Sequence, residues 1–301
     1  MKAVVICSAL AGLAFVAACD KSPPPADARE TVVVSEISAP ERGVPADVRP
    51  VTFESAESTF KARNYEDAVT QFTTLTETQP ESAIGFYMLG LSEWKVGDHK
   101  SAVTALRRSI ELDSTHVKSY LNLGRVLIES GQADEARVCL DQVLAIDPTS
   151  AEAHRLIGRV HESKKETELA VLAYRRALVL DSTDVWSMNN LGMLAIAQGQ
   201  YEDALPPLAR AVELVPGAPV FRNNLGIALE RTGRFVAAAA AYSAALASDS
   251  TYPKSKGNLE RVTTLTEAIT VTPVDLTELA RKFARQIEAW RTEGSTPTPE
   301  Q

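Results

Sequence analysis

Residues 49–252 carry apolar positions with a helical period inside a longer period of 34 residues. A Leu-Gly or Ile-Gly pair recurs at that spacing, as Leu89-Gly90, Leu123-Gly124, Ile157-Gly158, Leu191-Gly192 and Leu225-Gly226. An alanine follows each glycine after twelve residues, and a leucine or tyrosine follows that alanine after four more. Residues four apart share one face of a helix. The pattern therefore predicts an all-α array of six helix–turn–helix repeats, at 49–82, 83–116, 117–150, 151–184, 185–218 and 219–252.

The glycines of this pattern have two different predicted roles. Those in the Leu-Gly pairs lie within the first helix of a repeat, where the missing side chain lets that helix pack closely against the second. Other glycines follow a first helix and are predicted to end it in left-handed backbone, namely Gly97, Gly131, Gly199 and Gly233. The fourth repeat has Lys164-Lys165 at this turn, which predicts a left-handed Lys165 at some cost in stability.

Two further helices are predicted after the repeats. A capping helix at 253–268 starts at Pro253, and an amphipathic helix at 272–292 starts with Thr272 as its cap and Pro273 in its first turn. The second helix carries an apolar stripe of Leu276, Leu279, Phe283, Ile287 and Trp290. Docking of this stripe back on the repeats is favoured over its presentation to a partner or a second copy. Residues 293–301 are predicted to be a polar tail.

The N-terminal segment is predicted to be an export signal followed by a tether. Residues 1–18 hold an apolar run too short to cross a bilayer as a helix, and the run ends in Val16-Ala17-Ala18 before Cys19. That ending resembles the lipobox of bacterial lipoproteins, which implies lipidation of Cys19 and removal of residues 1–18. An uncleaved signal anchor is the alternative. Prolines and small polar residues at 19–48 predict a disordered tether.

The repeated unit of Leu-Gly, alanine, a large residue and a closing proline such as Pro148 resembles the tetratricopeptide-repeat family. The resemblance implies a right-handed superhelical solenoid in which the first helices of the repeats line a concave face. It further implies that this face binds an extended peptide or a helix of another protein.

Candidate binding residues follow from projecting the 34-residue frame onto the implied concave face. They are Tyr87, Trp94, Asn122, Arg125, Arg159, Trp186, Asn190 and Asn224. Each group has an alternative interpretation: the aromatic residues pack between helices, the arginines pair with nearby Glu129, Glu152 and Glu162, and asparagine is simply common at its position in such repeats. The asparagines, which we expect to be exposed, resemble the asparagine ladder of the O-linked N-acetylglucosamine transferase superhelix. That resemblance implies hydrogen bonding to a peptide backbone.

Charge and motif content narrow the function classes. The formal net charge of −8 and the pI near 5.2 argue against nucleic acid as a partner. The four histidines lie on separate turns or repeats, no phosphate-binding glycine loop or nucleophile elbow occurs, and Cys139 lies beside packing positions. The sequence therefore predicts no enzyme activity, no cofactor and no metal site.

These observations together predict a non-enzymatic scaffold or adaptor, exported and lipid-anchored to a bacterial membrane. Its expected partners are other envelope proteins or peptides, bound on the concave face, together with the membrane itself through the lipid. A weak homodimer is also compatible with these observations. The alternative function is a structural or self-associating spacer that acts through its C-terminal helix.

Overall fold

The computed structural model describes residues 51–293, and within that range the secondary structure is helical without any strand. The helices in chain order are α1 (Phe53–Lys61), α2 (Tyr65–Thr78), α3 (Ala83–Val96), α4 (His99–Leu112), α5 (Val117–Glu129), α6 (Ala133–Ile146), α7 (Ala151–Ser163), α8 (Thr167–Leu180), α9 (Val185–Ala197), α10 (Tyr201–Leu214), α11 (Pro219–Arg231), α12 (Phe235–Ser248), α13 (Pro253–Val262) and α14 (Leu276–Glu293). The first twelve form six pairs, and each pair lies inside one of the 34-residue repeats. The predicted all-α repeat array is confirmed.

Packing along the array is between neighbours. Each helix from α1 to α12 contacts the next one along the chain, and first helices also contact each other across repeats, as α5 does with α7 and α9 with α11. The buried core therefore runs along the array between successive helices.

The helical glycines allow close contact within each pair. A Cβ atom built on Gly192 would lie 2.4 Å from Cγ of Leu208, and one built on Gly158 would lie 2.4 Å from Cε1 of Tyr174. The side chain beneath each glycine is thus the large residue sixteen positions later, which is fully buried in these two repeats. This contact explains why the glycine and the large residue recur together.

The turns inside the repeats adopt the predicted left-handed backbone. Gly97, Gly131, Gly199 and Gly233 have φ between 75° and 88°. Lys165 has φ of 62° at the turn of the fourth repeat, as predicted, and Arg63 has φ of 65° at the turn of the first. The left-handed conformation costs roughly 1–2 kcal/mol for a residue other than glycine. The surrounding packing must therefore stabilise it at these two residues.

A turn between repeats is built on an Asp-x-Thr sequence that recurs with the 34-residue period. Oδ1 of Asp113 accepts a hydrogen bond from the backbone N of Thr115 at 2.9 Å and one from its Oγ1 at 2.7 Å. The same two bonds occur at the turns after α6, α8 and α12, which begin at Asp147, Asp181 and Asp249. Hydrogen bonds from the threonine lower the pKa of the carboxyl groups of Asp113 and Asp249.

The predicted limits of the last two helices are wrong. α13 ends at Val262 rather than at 268, because the following segment turns back along α12: Glu267 Oε2 accepts a hydrogen bond from the backbone N of Val236 at 2.8 Å. α14 begins at Leu276 rather than at 272. Its cap is Asp275, whose Oδ1 accepts hydrogen bonds from the backbone N atoms of Thr277 and Glu278 at 2.9 and 3.0 Å.

The favoured docking of the C-terminal helix on the repeats is confirmed. α14 contacts α8 and α10. Phe283 and Ile287 are 3% and 1% exposed, and Trp290 packs against the same cluster. The Arg175 guanidinium lies 4.8 Å from the Trp290 ring centroid. The apolar stripe of α14 is therefore buried against its own chain.

Several predictions concern residues beyond this range. The signal segment 1–18, Cys19 and the tether 19–48 lie outside the described residues, as does the predicted tail after Glu293. Between residues 51 and 293 no helix is both long enough and apolar enough to cross a membrane.

Candidate functional site

A cavity of ≈ 520 Å³ opens on the face formed by the first helices. Four successive first helices, α3, α5, α7 and α9, line it, so this face must curve inward across repeats two to five. We call this cavity the cleft; its lining residues are Trp94, Arg125, Glu129, Arg155, Leu156, Arg159, Trp186 and Asn190. The predicted residues Trp94, Arg125, Arg159, Trp186 and Asn190 are therefore brought together, from four repeats.

Two tryptophans provide the apolar surface of the cleft. Trp94 is half-buried, and its Nε1 donates a hydrogen bond to Oε2 of Glu129 at 2.7 Å. Trp186 remains 49% exposed, with its ring edge-on to Phe221 at 5.1 Å between centroids. Both indoles are held by contacts with neighbouring residues, while much of Trp186 stays open to solvent. An exposed aromatic ring in a cleft is the kind of surface that contributes most to binding free energy.

The arginines of the cleft are paired to different degrees. Arg125 forms an ion pair with Glu152. Arg155 contacts Glu152 at 3.1 Å and Asp184 at 2.8 Å. These two arginines match the alternative interpretation, in which the basic residues are neutralised by the protein's own carboxylates.

Arg159 is the guanidinium with the weakest ion pair in the cleft, because its contact with Glu129 Oε1 is 3.9 Å long. Burial, and then the positive charges of Arg155 and Arg159, lower the pKa of Arg125. The cleft thus concentrates three guanidinium groups, of which Arg159 has the most capacity to contact an acidic or carbonyl group of a ligand.

The expectation that the asparagines are exposed is wrong for two of the three. Asn122 and Asn224 are 7% and 9% exposed, and neither lines the cleft. Asn122 Nδ2 donates to the Lys118 carbonyl at 2.9 Å and to the Tyr87 hydroxyl at 3.3 Å. Tyr87 also lies edge-on to His116 and does not line the cleft. Tyr87 and Asn122 therefore join α3 to α5.

Asparagines of α9, α11 and α13 form a chain of side-chain hydrogen bonds inside the protein. The chain connects α13 to α11 and α11 to α9. Its bonds run from Asn258 to Asn223 at 3.0 Å, from Ser255 to Asn223 at 3.1 Å, from Asn223 to Asn224 at 3.3 Å, from Asn224 to Asn189 at 2.7 Å and from Asn189 to Asn190 at 3.4 Å. The amides thus bond mainly to one another. Asn190 lies at the end of the chain and reaches the cleft.

Replacing Asn223 with alanine is expected to destabilise the protein by about 1–3 kcal/mol, because Asn223 is 1% exposed and its loss leaves Ser255, Asn258 and Asn224 without their partner. Urea unfolding followed by circular dichroism measures the change. Asn190→Ala is the control, since Asn190 is less buried and its single bond within the asparagine chain is 3.4 Å long. Equal stability of both variants and the parent would contradict the structural role of the chain.

Three cleft residues are absent from the candidates chosen from the sequence, namely Glu129, Arg155 and Leu156. Leu156 is one repeat length before Asn190, so the 34-residue frame itself points to it. Glu129 was considered as a partner for arginine, yet it also accepts the hydrogen bond from Trp94. Phe53 and Phe60 are one repeat length before Tyr87 and Trp94. They pack on Phe72 and Tyr65, respectively, within the first repeat.

No arrangement for catalysis stands out among residues 51–293. His116 Nδ1 lies 2.6 Å from Oγ of Ser119, but Ser119 is 0% exposed and bonds onward to Ser109, so the pair joins α4 to α5. Burial raises the pKa of the half-buried Cys139 thiol to about 11, which disfavours the reactive thiolate. In the same range no group of three or more His, Cys, Asp or Glu side chains is placed to hold a metal ion.

One carboxyl group with a strongly shifted pKa lies outside the cleft. Burial, and then the negative charge of Asp98, raise the pKa of Glu93 from 4.5 to about 7. Its Oε2 is buried and has no hydrogen-bond partner. The carboxylate of Glu93 is therefore poorly compensated at neutral pH.

Glu93→Gln is expected to stabilise the protein at pH 8 by about 1 kcal/mol relative to the parent, since solvent reaches part of the side chain and screens its charge. The pKa of Glu93 is higher in the folded protein, so its favourable contribution is complete below about pH 4.5 and is lost as the pH rises through about 7. The stability difference between variant and parent should thus grow from pH 5 to pH 8 in urea titrations. A difference that stays constant over this range would contradict the assignment.

Comparison with known proteins agrees with this fold. Two family models, both described as tetratricopeptide repeat, match residues 94–160 and residues 53–116 and 189–253. No curated protein matches the chain. Among solved structures, PilW, titled a widely conserved type IV pilus biogenesis factor, is 17% identical with a TM-score of 0.59, over 70% of this chain and 96% of PilW.

Two other solved structures show the same fold. The Cut9–Hcn1 hetero-tetramer of APC/C is 17% identical with a TM-score of 0.58, over 69% of this chain and 41% of that one. TTC0263 of Thermus thermophilus, a thermophilic TPR protein, is 16% identical with a TM-score of 0.54, over 61% of this chain and all of TTC0263.

The fold and the cleft define a helical-repeat protein whose first helices line a solvent-open cleft. The glycine contacts, the 34-residue helix pairs and the family matches together identify the family. The chain belongs to the tetratricopeptide-repeat family.

Proposed function

We propose that this protein is a non-enzymatic scaffold of the cell envelope that binds an extended segment or a helix of another protein in the cleft. The observation that carries the proposal is the convergence of Trp94, Arg159, Trp186 and Asn190 from three helices, α3, α7 and α9, on one cavity. Repeats that are separate in sequence contribute one binding surface, which is what an interaction scaffold requires.

The chemistry of the cleft favours a particular kind of ligand segment. The exposed face of Trp186 suits an apolar side chain, and Arg159 suits an acidic side chain or a backbone carbonyl. Asn190 offers an amide that both donates and accepts hydrogen bonds. Apolar contacts at the indoles supply most of the affinity, and Arg159 and Asn190 set the position of the bound segment.

The alternative function, a self-associating spacer acting through the C-terminal helix, has less support. The stripe of α14 that would make such contacts is buried on α8 and α10, with Phe283 and Ile287 almost inaccessible. Its exposure would first require undocking of the helix.

The anchoring part of the proposal rests on the sequence. Cys19 follows an apolar run with a lipobox-like ending, and the proline-containing residues 20–48 separate it from the repeats. A lipid on Cys19 with a tether of about 30 residues gives a root-mean-square span of roughly 30 Å. In this proposal the cleft acts at an envelope surface on exported or membrane-bound partners.

The cleft is tested by capture of envelope proteins on the full chain, followed by quantitative mass spectrometry. Trp186→Ala combined with Arg159→Ala is expected to weaken capture of a specific partner by about tenfold or more, because an interface tryptophan alone contributes on the order of 2 kcal/mol. Val236→Ala is the matched control, since Val236 is 73% exposed and lies on α12, away from the cleft. Equal capture by all three proteins would count against the cleft as the binding surface.

A further inference from the structure

A second, larger cavity lies between α3 and α4 in the second repeat. It has a volume of ≈ 790 Å³. Its floor is apolar and is formed by Phe86, Leu89 and Ala105, while Thr104 is exposed at its surface. Charged residues surround this floor: Glu93, Lys100, Arg107, Arg108 and Glu111. We call this cavity the repeat-2 groove.

The equivalent groove in the fifth repeat is occupied by α14. The residues three repeat lengths after Leu89, Thr104 and Ala105 are Leu191, Pro206 and Pro207. All three line the cavity that remains beside α14, together with Lys282, Phe283, Gln286 and Trp290 of that helix. The protein itself thus shows what this type of groove binds, namely an amphipathic helix lying across second helices.

The two grooves differ in charge at several positions, among them Lys100, Ser101 and Arg107, which correspond to Glu202, Asp203 and Ala209, and one further difference concerns a buried group. Glu93 of the repeat-2 groove corresponds to Ala195 of the occupied groove. Oε2 of Glu93 is buried without a hydrogen-bond partner. A basic side chain on a bound helix would supply the missing partner, and Lys282 and Gln286 of α14 line the same cavity as Ala195 in the occupied groove.

Two other grooves between second helices are crossed by ion pairs. Arg107 of α4 pairs with Glu135 of α6, and Arg234 at the start of α12 pairs with Glu202 of α10 at 2.7 Å. Within residues 51–293 no ion pair joins α2 to α4, the pair of helices that corresponds to α8 and α10. The repeat-2 groove is therefore not crossed by an ion pair between second helices, and the Arg108 guanidinium, 5.9 Å from the Phe86 ring centroid, must move aside when a helix covers Phe86.

We propose that the repeat-2 groove is a docking site for an amphipathic helix of a partner protein that carries a lysine or arginine beside its apolar stripe. The apolar stripe covers Phe86, Leu89 and Ala105 as α14 covers the corresponding residues of the fifth repeat. The basic residue pairs with Glu93. This site uses Phe86, Leu89 and Glu93 of α3 together with α4, whereas the cleft uses Trp94 of α3 together with α5, α7 and α9, so that one molecule holds two different protein segments.

A partner helix fits better than the other candidate occupants. The α14 helix of a second copy is buried on its own repeats. Residues 20–48 of this chain contain Pro23-Pro24-Pro25, Pro40 and Pro45, which leave at most fourteen residues between prolines for a helix, shorter than α14.

The test uses a fluorescent peptide of residues 275–293 as the probe, added to the full chain, whose own α14 fills the fifth-repeat groove. Binding is followed by fluorescence anisotropy. Thr104→Arg places a bulky cation at the repeat-2 groove and is expected to weaken binding by about tenfold or more. Val138→Arg is the matched control at the same position of the next repeat, where the side chain is 62% exposed, and it should leave binding unchanged.

Charge recognition is tested on the same peptide. A peptide carrying Lys282→Glu and Gln286→Glu is expected to bind about tenfold more weakly than the original, and Glu93→Gln in the protein should abolish this difference. Absence of binding overturns the proposal. Binding that is insensitive to Thr104→Arg also overturns it, because the peptide then replaces α14 in the fifth-repeat groove instead of entering the repeat-2 groove. Binding that appears only after deletion of residues 20–48, or self-association that Thr104→Arg abolishes, assigns the groove to this chain itself and also overturns it.

Discussion

Replacing Gly192 with leucine is expected to lower the free energy of unfolding by about 3 kcal/mol, the upper end of the usual cost of overpacking. The new Cβ would lie 2.4 Å from Cγ of Leu208, whose side chain is 0% exposed and is packed in the core between α9 and α10. Either α9 must move away from α10 or Leu208 must leave its rotamer. Both changes disturb the helix pair that supports the cleft residues Trp186 and Asn190.

The matched control is Gly257→Leu. Gly257 is exposed in α13, and nothing lies within 4 Å of a Cβ built on it, so leucine is expected to stabilise this helix by up to about 1 kcal/mol through its higher helix propensity. Urea unfolding of both variants measures the changes. In a Leu208→Ala background, Gly192→Leu should cost less than in the parent, because the clashing atoms are gone. A full cost in that background would contradict the proposed contact.

Replacing Cys19 with serine is expected to release the protein completely from membranes into the soluble fraction. Without the thiol no lipid can be attached, and between residues 51 and 293 no helix is long and apolar enough to hold the chain in a bilayer. Cell fractionation with intact-mass measurement tests this, and Ser22→Ala, three residues further on, serves as the control that should stay membrane-bound. A full-length Cys19→Ser variant that remains an integral membrane protein would support the signal-anchor alternative instead.

The repeat fold was predictable because each element has a local physical cause with a fixed spacing. Close packing of α9 on α10 requires a glycine at position 192 opposite the large side chain of Leu208. The turns inside the repeats require a left-handed residue such as Gly97 or Lys165. The end of α13 was not predictable in this way. It depends on the contact of Glu267 with the backbone of α12, which is a tertiary interaction without a periodic signal.

The cleft was predictable only in part. Arg125 and Arg159 hold the same position in successive repeats and both reach the cleft, and Trp94 and Trp186 reach it from different positions of their first helices. Asn224 and Asn190 hold the same position in successive repeats, yet one is buried in an internal hydrogen-bond chain and the other lines the cleft. The difference arises from the neighbours: the Asn224 amide donates to Asn189 at 2.7 Å, whereas Asn190 accepts one bond of 3.4 Å.

Photo-crosslinking from the cleft tests directly whether the cleft is the binding surface for a partner protein. A photoreactive phenylalanine derivative is placed at the position of Trp186 in one protein and of Val236 in another, and both are irradiated in intact cells. If the cleft binds the partner, the position of Trp186 crosslinks to a partner segment that contains apolar and acidic residues. The position of Val236 gives no such product. Crosslinking from the position of Val236 with none from that of Trp186 would contradict the claim that the cleft is the binding surface.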